Sequence, residues 1–600
     1  MRSLNHLILL TGQELTAGDR RLMAFASSMG VSPQSVSSGE GSSFPQRILD
    51  EFQPGTFCLA VGAETLAHIN DTSTSRSELQ RLIDEYSAAL LVFGCTDSEP
   101  ETNAISWLTS GAISGIISLP SQSVDFELPR EAISFSKQLG GLSFSGVCRQ
   151  LVSTFTLSSA ATAAEVIMTA NQRPVFVQMN RGSCELFLVS TALPDLDEPL
   201  TREHGIEEHY DELIPVMIFL RHCFGESCWH GIESTARLII DDPLLSERYG
   251  FLDYGILTES MQRARYGTSM AFIPWNYWRT SRRNTERLAG ESSRLSICVH
   301  GCDHTNKEFE ARDAALLGRK AGLALRRMES LRKRTGAVFE PVMVFPQGRF
   351  SRAAIMALRD NHYLAAVNST CFPQDIGRDD LKVGDFLRPA ITRYNGFPIF
   401  LRHYPRRLFD FAFDLFLGRP ALIVAHHDYF REGCRALEDL VAELYQQEPD
   451  LSWPTLTTQL MRNCRMRNLS NGSVEVQFFT RQFQFANREL TAGHFLLSKD
   501  EPDPVAIEGV LVDGASVPFS VENGFLKLEV NAEPGQVRNV EVVDREQPRQ
   551  STPGFGVAHN ARVLLRRGLS EFRDNTLARH GGLLEVAQSV VRRLKVTGDS

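Results

Sequence analysis

Two polar motifs, each placed directly after an apolar run, are the groups in this chain best suited to metal chemistry. Asp241 and Asp242 follow the run 237–240, and His300 and His304 begin where the run 295–299 ends. Such runs are typical of buried strands that deliver side chains to the open end of a sheet or barrel. One carboxylate and two imidazoles form a three-ligand set that leaves a metal position for water, as a hydrolase needs.

The two aspartates are predicted to diverge, because successive side chains of a strand point to opposite faces. One carboxylate can then bind a metal while the other faces the reacting water. The four-residue spacing of His300 and His304 brings both imidazoles to one side of a helical turn or tight loop, which suits zinc. Asp303 and Asn306 are candidates to hold a ring N–H of these ligands.

Two further predicted strands of the same region also end in polar motifs. A Pro–Gly turn at 346–349 follows the run 341–345 and would form one wall of a cleft. His426, His427 and Asp428 follow the run 421–425. An imidazole there is suited to act as a general acid, and Asp428 is a candidate to orient it or raise its pKa.

Each motif taken alone also has an ordinary structural explanation. Asp-Asp-Pro sequences cap helices and turns, and paired histidines occur on surfaces or packed in cores. Here the motifs Asp-Asp, His-x3-His, Pro-x-Gly and His-His-Asp stand in this order at four predicted strand ends. The joint pattern favours a catalytic centre.

In this order the motifs resemble those of the polysaccharide deacetylase family, also called the NodB-homology or carbohydrate esterase family 4 domain. The resemblance is confined to the central third of the chain and implies a distorted (β/α) barrel with fewer than eight strands. It implies that Asp241 is the catalytic base and that Asp242, His300 and His304 bind a divalent metal, zinc being the first choice.

The same resemblance implies a histidine as the general acid, and two residues fit that role. Val424-x-His426 fits the family's aliphatic-x-His spacing, whereas His427-Asp428 fits its His-Asp pairing. We favour His426 and keep both.

The resemblance also implies a substrate groove, lined here by Pro346, Gly348 and Arg349. The family has an arginine two residues before the proline, where this chain has Val344. Arg349 or Arg388 is expected to supply that cation instead. The family's fourth motif, a carboxylate and a tryptophan, is not identifiable.

Two tryptophans have two open interpretations. Trp275 and Trp278 either form a wall on which sugars stack or are ordinary core aromatics.

The implied reaction is hydrolysis of an N-acetyl group on an amino sugar of a polysaccharide or of a lipid- or nucleotide-linked glycan precursor. A backbone N–H after the Pro–Gly turn is expected to help stabilise the oxyanion. Two alternatives are a glycoside hydrolase with a related barrel followed by a sandwich, and a catalytically inactive glycan-binding or scaffolding protein.

The elements that must position these groups extend over several domains, because 600 residues exceed what one core supports. We predict a multidomain α/β protein. Its expected parts are a noncatalytic three-layer α/β domain at 1–232, the barrel at 233–460, an antiparallel β-sandwich at 461–548 and a helical tail at 549–600. Barrel strands are expected at 237–240, 269–273, 295–299, 341–345, 364–367 and 421–425, with a strong helix at 311–334.

In the first domain, buried parallel strands are expected at 7–10, 57–61, 89–93 and 113–119, with a helix at 78–87. Runs at 174–179 and 184–190 flank Asn180-Arg181-Gly182-Ser183 and predict a β-hairpin. This arrangement resembles the class I glutamine-amidotransferase-like fold. Cys95 follows the third strand without a glycine-flanked nucleophile elbow, so it is predicted to be a buried small hydrophobe.

Charge and cysteine content restrict the partners and the compartment. The net charge of −10 argues against nucleic-acid binding, and eleven cysteines without CxxC pairs suggest reduced thiols in a cytoplasm-like compartment. Neither a signal-peptide core nor a membrane-spanning run is recognised. The basic end of an amphipathic segment at 583–594 would allow peripheral membrane or protein contact, although a helix packed on its own domain is the favoured explanation.

Overall fold

The computed structural model describes residues 6–39, 43–120, 123–147, 152–159, 164–246, 248–375, 381–545 and 555–575. The chain is a mixed α/β protein with a parallel barrel flanked by a nine-stranded sheet and by two packed sheets. Within the described residues, no helix has the length and apolar character that crossing a bilayer requires. The predicted amphipathic segment at 583–594 lies outside the described residues.

The described residues of the N-terminal region form eleven strands and seven α-helices. The strands are His6–Thr11 (β1), Pro33–Ser37 (β2), Phe57–Gly62 (β3), Ala89–Phe93 (β4), Ile113–Ser118 (β5), Ser123–Leu128 (β6), Leu142–Val147 (β7), Ser153–Leu157 (β8), Glu165–Ala170 (β9), Arg173–Arg181 (β10) and Cys184–Val189 (β11). The helices are Ala17–Ser28 (α1), Phe44–Glu51 (α2), Ala63–Asp71 (α3), Ser73–Glu85 (α4), Glu99–Leu108 (α5), Ile133–Ser136 (α6) and Tyr210–Phe224 (α7).

The nine-stranded sheet has helices on both faces because its central strands are apolar on both sides. In β1, Leu7 and Leu9 face one buried cluster, which includes Phe25 of α1, and Ile8 and Leu10 face the other. The strand order is β2-β1-β3-β4-β11-β10-β9-β6-β7, and β2, β1, β3, β4 and β11 run parallel. The predicted three-layer arrangement is confirmed.

Two expectations for this region have different outcomes. The predicted hairpin is confirmed, because β10 and β11 pair antiparallel around a turn that joins Arg181 to Cys184. The parallel strand predicted at 113–119 is wrong. This segment forms β5, which pairs antiparallel with β8 in a separate two-stranded sheet. Only Ile113 and Ile116 of β5 are buried, and the pairing shifts register between Ile113 and Gly115.

The central region is built on a seven-stranded parallel barrel. Its strands are Ala236–Asp241 (β13), Thr268–Phe272 (β16), Leu295–His300 (β17), Phe339–Val344 (β18), Ala365–Asn368 (β19), Ile399–Leu401 (β20) and Ala421–Ala425 (β21). Short strands are His230–Gly231 (β12), Arg248–Tyr249 (β14) and Leu252–Asp253 (β15). The helices are Tyr254–Ala264 (α8), Arg282–Gly290 (α9), Ala314–Thr335 (α10), Arg352–Asp360 (α11), Leu408–Leu417 (α12) and Arg435–Gln447 (α13).

The barrel closes between its sixth and seventh strands. Neighbouring strands follow the order β20-β19-β18-β17-β16-β13-β21. Just beyond β20, the His403 N–H donates to Leu422 O (2.9 Å), and the Val424 N–H donates to His403 O (2.9 Å). The prediction of a barrel with fewer than eight strands is confirmed. The sequence prediction omitted β20, which has only three residues.

The barrel interior is arranged in layers because alternate residues of each strand point inward. At the bottom, Arg237 is fully buried and donates to the hydroxyls of Ser269 (3.0 Å) and Ser296 (2.8 Å). An apolar layer above contains, among others, Ile239 and Cys298. Two residues further along these strands come Asp241 and His300, which therefore point into the mouth of the barrel.

The C-terminal region forms two sheets around their own apolar core. Its elements are Leu456–Arg462 (α14), Cys464–Asn468 (β22), Val474–Phe478 (β23), Gln482–Ala486 (β24), Gly493–Asp500 (β25), Ile507–Val512 (β26), Ala515–Ser516 (β27), Ser520–Glu522 (β28), Phe525–Ala532 (β29), Val537–Asp544 (β30) and Val557–Asn575 (α15). One sheet has the order β12-β22-β23-β25-β29-β28, and the other β24-β30-β26-β27. Pairing is antiparallel except between β23 and β25, which run parallel.

Candidate metal centre and active site

Asp242, His300 and His304 converge at the mouth of the barrel. One carboxylate oxygen, Oδ1 of Asp242, lies 3.0 Å from Nε2 of His300 and 3.0 Å from Nε2 of His304. The predicted three-ligand set is therefore brought together in space. This oxygen is buried but makes no hydrogen bond of normal geometry to a described residue. Two ring nitrogens and an unsatisfied carboxylate oxygen facing one point are the donor set expected around a cation.

The backbone at both ends of this ligand set is in the left-handed region. Asp242 has φ 63° and His304 has φ 54°. The turn at Asp242 breaks the strand alternation, so its carboxylate meets the histidines while Asp241 points into the barrel. His300 is the last residue of β17, and His304 lies in the following loop with its ring centroid 5.0 Å from that of His300.

Charge and burial act on the pKa values of two candidate ligands, Asp242 and His300. Burial alone would raise the pKa of Asp242, but the two imidazoles hold that pKa well below its ordinary value. Burial would lower the pKa of His300, but the Asp242 carboxylate raises it above the ordinary value. The carboxylate is thus kept ionised, and the imidazole becomes basic enough to compete for a proton when no cation is bound.

Asp241 is held by a buried, two-pronged ion pair with Arg402. Nη1 and Nη2 of Arg402 each lie 2.6 Å from a different oxygen of Asp241. Burial alone would raise the pKa of Asp241, but the charge of Arg402 and that of His300 hold it below its ordinary value. The second aspartate is therefore ionised, fixed in orientation and placed beside the ligand set.

The two arginines that were expected to supply a cation of the substrate groove pair with carboxylates other than Asp241. Arg349 instead lies 2.9 Å from the Glu310 carboxylate through Nε. Arg388 donates to Asp500 at the end of β25 (2.8 Å). Sequence reasoning missed Arg402 because β20 was not recognised. Once that strand is known, its alternation places Arg402 inward, two residues after the buried Phe400.

The two histidines after β21 have different surroundings. His426 continues the inward alternation of Leu422 and Val424, and its charge contributes to lowering the pKa of Asp241. The His426 ring lies 6.3 Å from the partly exposed ring of Tyr404. This places His426 at the mouth of the barrel.

His427 faces the opposite way. Its ring packs against Tyr249 (5.2 Å between centroids) and Phe251 (6.1 Å). A Cβ at Gly250 would collide with this ring. The neighbouring Asp428 is exposed.

A buried glutamate shapes the loop between the two histidine ligands. Carboxylate oxygens of Glu308 accept hydrogen bonds from the N–H groups of Cys302 (3.1 Å), Asp303 (2.9 Å) and His304 (2.9 Å). These three N–H groups belong to consecutive residues of the loop. The Glu308 carboxylate, four residues after His304, holds them as a capping carboxylate holds the N–H groups at the start of a helix. Sequence reasoning did not identify Glu308, although a glutamate shortly after a tight His-x3-His loop is a usable signal.

Asp303 was expected to accept a hydrogen bond from a ring N–H of His300 or His304. This expectation is wrong. The Asp303 carboxylate accepts from Arg327 Nη1 (2.6 Å) and lies 2.9 Å from His559 Nε2. Asn306 is exposed, and His300 Nδ1 has no hydrogen-bond partner among the described residues.

The Pro–Gly turn packs directly against the histidine loop. Gly301 has φ 64°, and a Cβ there would collide with the Pro346 ring and the Glu308 carboxylate. Two N–H groups of the turn are engaged: Gly348 N–H donates to Phe345 O (3.1 Å) and Arg349 N–H to Pro346 O (3.2 Å). The expectation that a backbone N–H after the turn serves an oxyanion stays a prediction.

The two tryptophans differ in exposure. Trp275 is half-buried, and its backbone N–H donates to Cys302 O (3.0 Å). The Arg327 guanidinium covers its ring at 4.8 Å from the centroid. Trp278 is 53% exposed. Trp275 thus supports the histidine loop, and Trp278 has surface available to a ligand.

A second acidic cluster lies beneath the loop. Cys302, Asp303 and Glu308 have ligand-type atoms close enough for a metal ion. Arg327 pairs with Asp303 (2.6 Å) and Lys320 with Glu308 (3.5 Å), so both carboxylates already have cationic partners. This cluster is best described as an ion-paired support of the loop.

Comparison with known proteins gives structural neighbours only. No family model and no curated protein matches the sequence. A crystal structure of Agd3, described as a novel carbohydrate deacetylase, has 10% identity and a TM-score of 0.47, covering 90% of this chain and 98% of that one. The CE4-family pseudoenzyme BA3943 from Bacillus anthracis has 11% identity and a TM-score of 0.25, covering 38% and 66%.

A third neighbour is the T48 deacetylase solved with substrate. It has 14% identity and a TM-score of 0.22 and covers 38% of this chain and 89% of that one. Identities this low leave the chemistry of this chain to be decided by its own side chains.

Proposed function

We propose that this protein is a metal-dependent hydrolase that removes N-acetyl groups from an amino sugar in a polysaccharide or glycan precursor. The observation that carries the proposal is the convergence of Asp242 Oδ1 with the Nε2 atoms of His300 and His304, 3.0 Å away in each case. Asp241 stands beside them, ionised and oriented by Arg402.

The three donors fit a divalent cation. Bonds of about 2.0–2.2 Å from a tetrahedral zinc ion place ligand atoms about 3.3–3.6 Å from one another. The 3.0 Å separations found here need only a small outward adjustment to reach that spacing. Two imidazoles and one carboxylate are a zinc-type set, and three protein ligands leave a further position open.

When bound, the cation would polarise the acetyl carbonyl and lower the pKa of water at the open position. Asp241 is placed to accept the proton of the attacking water, since its depressed pKa keeps it ionised over a wide pH range. Arg402 prevents the Asp241 carboxylate from rotating, because both oxygens are held.

His426 is the side chain we assign as general acid to the departing amine. It points toward the mouth of the barrel from the end of β21, near enough to Asp241 to influence its pKa. His427 is packed among Tyr249 and Phe251 and remains the second candidate for the general acid. The exposed ring of Tyr404 next to His426 and the exposed Trp278 offer flat surfaces suited to a sugar ring.

The geometry favours this reaction over a glycosidase. A glycosidase needs two carboxylates on opposite sides of a scissile bond, about 5 Å or more apart, with one able to donate a proton. Here Asp241 and Asp242 are adjacent, and both have a pKa below the ordinary value. Neither is suited to be the acid.

The test is release of acetate from a panel of N-acetylhexosamine oligosaccharides, lipid-linked sugars and nucleotide sugars by protein loaded with Zn²⁺. We expect turnover with at least one substrate, loss after treatment with a chelator, and recovery when metal is returned. Asp241→Asn is the matched control, because it keeps the donors of the cation site. Absence of acetate release from protein with one bound metal would favour the binding or scaffolding alternative. Glycosidic cleavage that survives chelation would favour the glycosidase.

A further inference from the structure

We propose that His559, on the C-terminal helix α15, is a positioning residue for the metal site. It acts through Asp303, the residue directly before the ligand His304. The inference rests on the proposed function in one respect: His300 and His304 must be metal ligands.

Asp303 is a fully buried carboxylate with a partner on each side. Oδ1 accepts from Arg327 Nη1 at 2.6 Å, and Oδ2 lies 2.9 Å from His559 Nε2. The Arg327 guanidinium belongs to the barrel helix α10, whereas His559 belongs to the last described helix of the chain. The loop that ends in His304 is therefore held between an element of the barrel and one that follows the sandwich.

The orientation of the His559 ring is set by its neighbours. Its ring stacks on Phe555 with 4.3 Å between the centroids. On Phe555 in turn lies the Arg319 guanidinium, 4.5 Å from that centroid. This stack limits rotation of the imidazole, so Nε2 stays directed at Asp303.

Helix α15 has further anchors on other loops at the rim of the barrel. Glu571 receives two hydrogen bonds of 2.7 Å from Arg279, which follows β16. The side-chain oxygen of Asn575 accepts from the Gly250 N–H at 2.8 Å, in the loop after β13. The helix thus spans three rim loops, and His559 is the anchor on the one that carries ligands.

Polar contacts contribute to the position of α15. Val563 is fully buried, but the outward face exposes Val557, Leu564, Leu565, Leu569 and Phe572. Because most of the helix's apolar surface points away from the barrel, burial on the inner face contributes little to its alignment. Loss of one directional contact is therefore expected to change the loop it holds.

The test compares four variants by their metal site. His559→Ala removes the contact, and His559→Gln keeps an N–H donor at the Nε2 position. In His559→Asn the shorter side chain does not bring its amide to the Nε2 position. Glu571→Gln weakens a remote anchor of the same helix. Zn²⁺ affinity is measured by competition with a chromophoric chelator, and the visible spectrum is recorded for the Co²⁺-loaded protein. Circular dichroism and thermal unfolding establish that each variant is folded.

We expect His559→Ala and His559→Asn to bind Zn²⁺ about 10- to 100-fold more weakly and to change the Co²⁺ spectrum, as loss of a supporting contact does elsewhere. His559→Gln and Glu571→Gln should stay close to the parent protein in both measurements. If His559→Ala does not fold, the contrast between Asn and Gln at 559 decides.

Unchanged affinity and spectrum in His559→Ala would overturn the inference, and so would an equal loss in His559→Gln or in Glu571→Gln. These outcomes are distinct from failure of the proposed function. A parent protein that binds no metal overturns both, whereas one that binds metal but releases no acetate overturns only the hydrolase assignment.

Discussion

The N-terminal sheet and the barrel both consist of buried parallel strands, yet they differ at the ends of those strands. After β4 comes Cys95, which is buried and whose pKa is raised well above the ordinary value by burial and then by the charge of Glu101. At the ends of β13 and β17 lie Asp242 and His300, whose charges stabilise each other. In the barrel, unlike in the N-terminal sheet, loops at the strand ends supply partners of opposite charge for the polar groups.

The first way to break this contrast is to remove one barrel ligand. In His300→Ala we expect metal affinity to fall by more than the about 10- to 100-fold that loss of a supporting contact costs, and turnover to vanish. Metal content after dialysis and acetate release measure both. Full activity in this variant would contradict the assignment of the centre.

Next in size is the loss of the proposed base. Asp241→Asn should keep bound metal and lose about 10²- to 10⁴-fold in kcat, because the attacking water has no proton acceptor. Metal stoichiometry is the control here. A variant that loses metal as well would mean that Asp241, and not only Asp242, is a ligand.

Arg402 sharpens the comparison, since the N-terminal strand end has no equivalent cation among the described residues. Arg402→Leu leaves Asp241 as a buried, unpaired carboxylate and should destabilise the protein by about 3–5 kcal/mol in chemical denaturation. The double variant Arg402→Leu/Asp241→Asn should recover much of that stability without recovering turnover. Equal losses in single and double variants would show that the ion pair is not the cause.

The pH dependence of metal binding provides a subtler test. The pKa of His300 is raised in the metal-free protein by Asp242, after burial has opposed it. Protons therefore compete with metal at pH values where an ordinary histidine is already neutral. Below the raised pKa, affinity should fall by about tenfold per pH unit, and above it should level off. An affinity independent of pH through the neutral range would contradict this.

The smallest effect is expected at the N-terminal strand end. Cys95→Ala should leave acetate release within about twofold of the parent and cost about 1 kcal/mol of stability, as an ordinary core substitution does. A large loss of kcat with unchanged stability would instead assign chemistry to this sheet.

The sequence could indicate the proposed ligand set because apolar runs end immediately before Asp241 and His300, a signal that depends only on local order. Arg402 was missed because its partner Asp241 is distant in sequence and its strand has three residues. His426 was separable from His427 by strand alternation, which places Val424 and His426 on one side.

Other differences have similar physical causes. The run 113–119 looks like the other buried strands, and only its partner β8 makes it antiparallel. The parallel direction of β23 and β25 likewise depends on which strands pair in the folded sheet, and the local sequence does not specify this. The role of His559 depends on where a distant helix packs, which no local pattern specifies.

The left-handed backbone at Asp242 limits which residues can occupy that position. At φ 63°, aspartate, asparagine and glycine are tolerated well, whereas glutamate and other longer residues are disfavoured. Of those three, only aspartate offers a charged oxygen. Substitution of Asp242 by asparagine leaves a weaker, neutral metal ligand, and substitution by glycine leaves none. Both residues keep the backbone conformation of the turn. A descendant that lost the proposed metal site here would still fold like its parent.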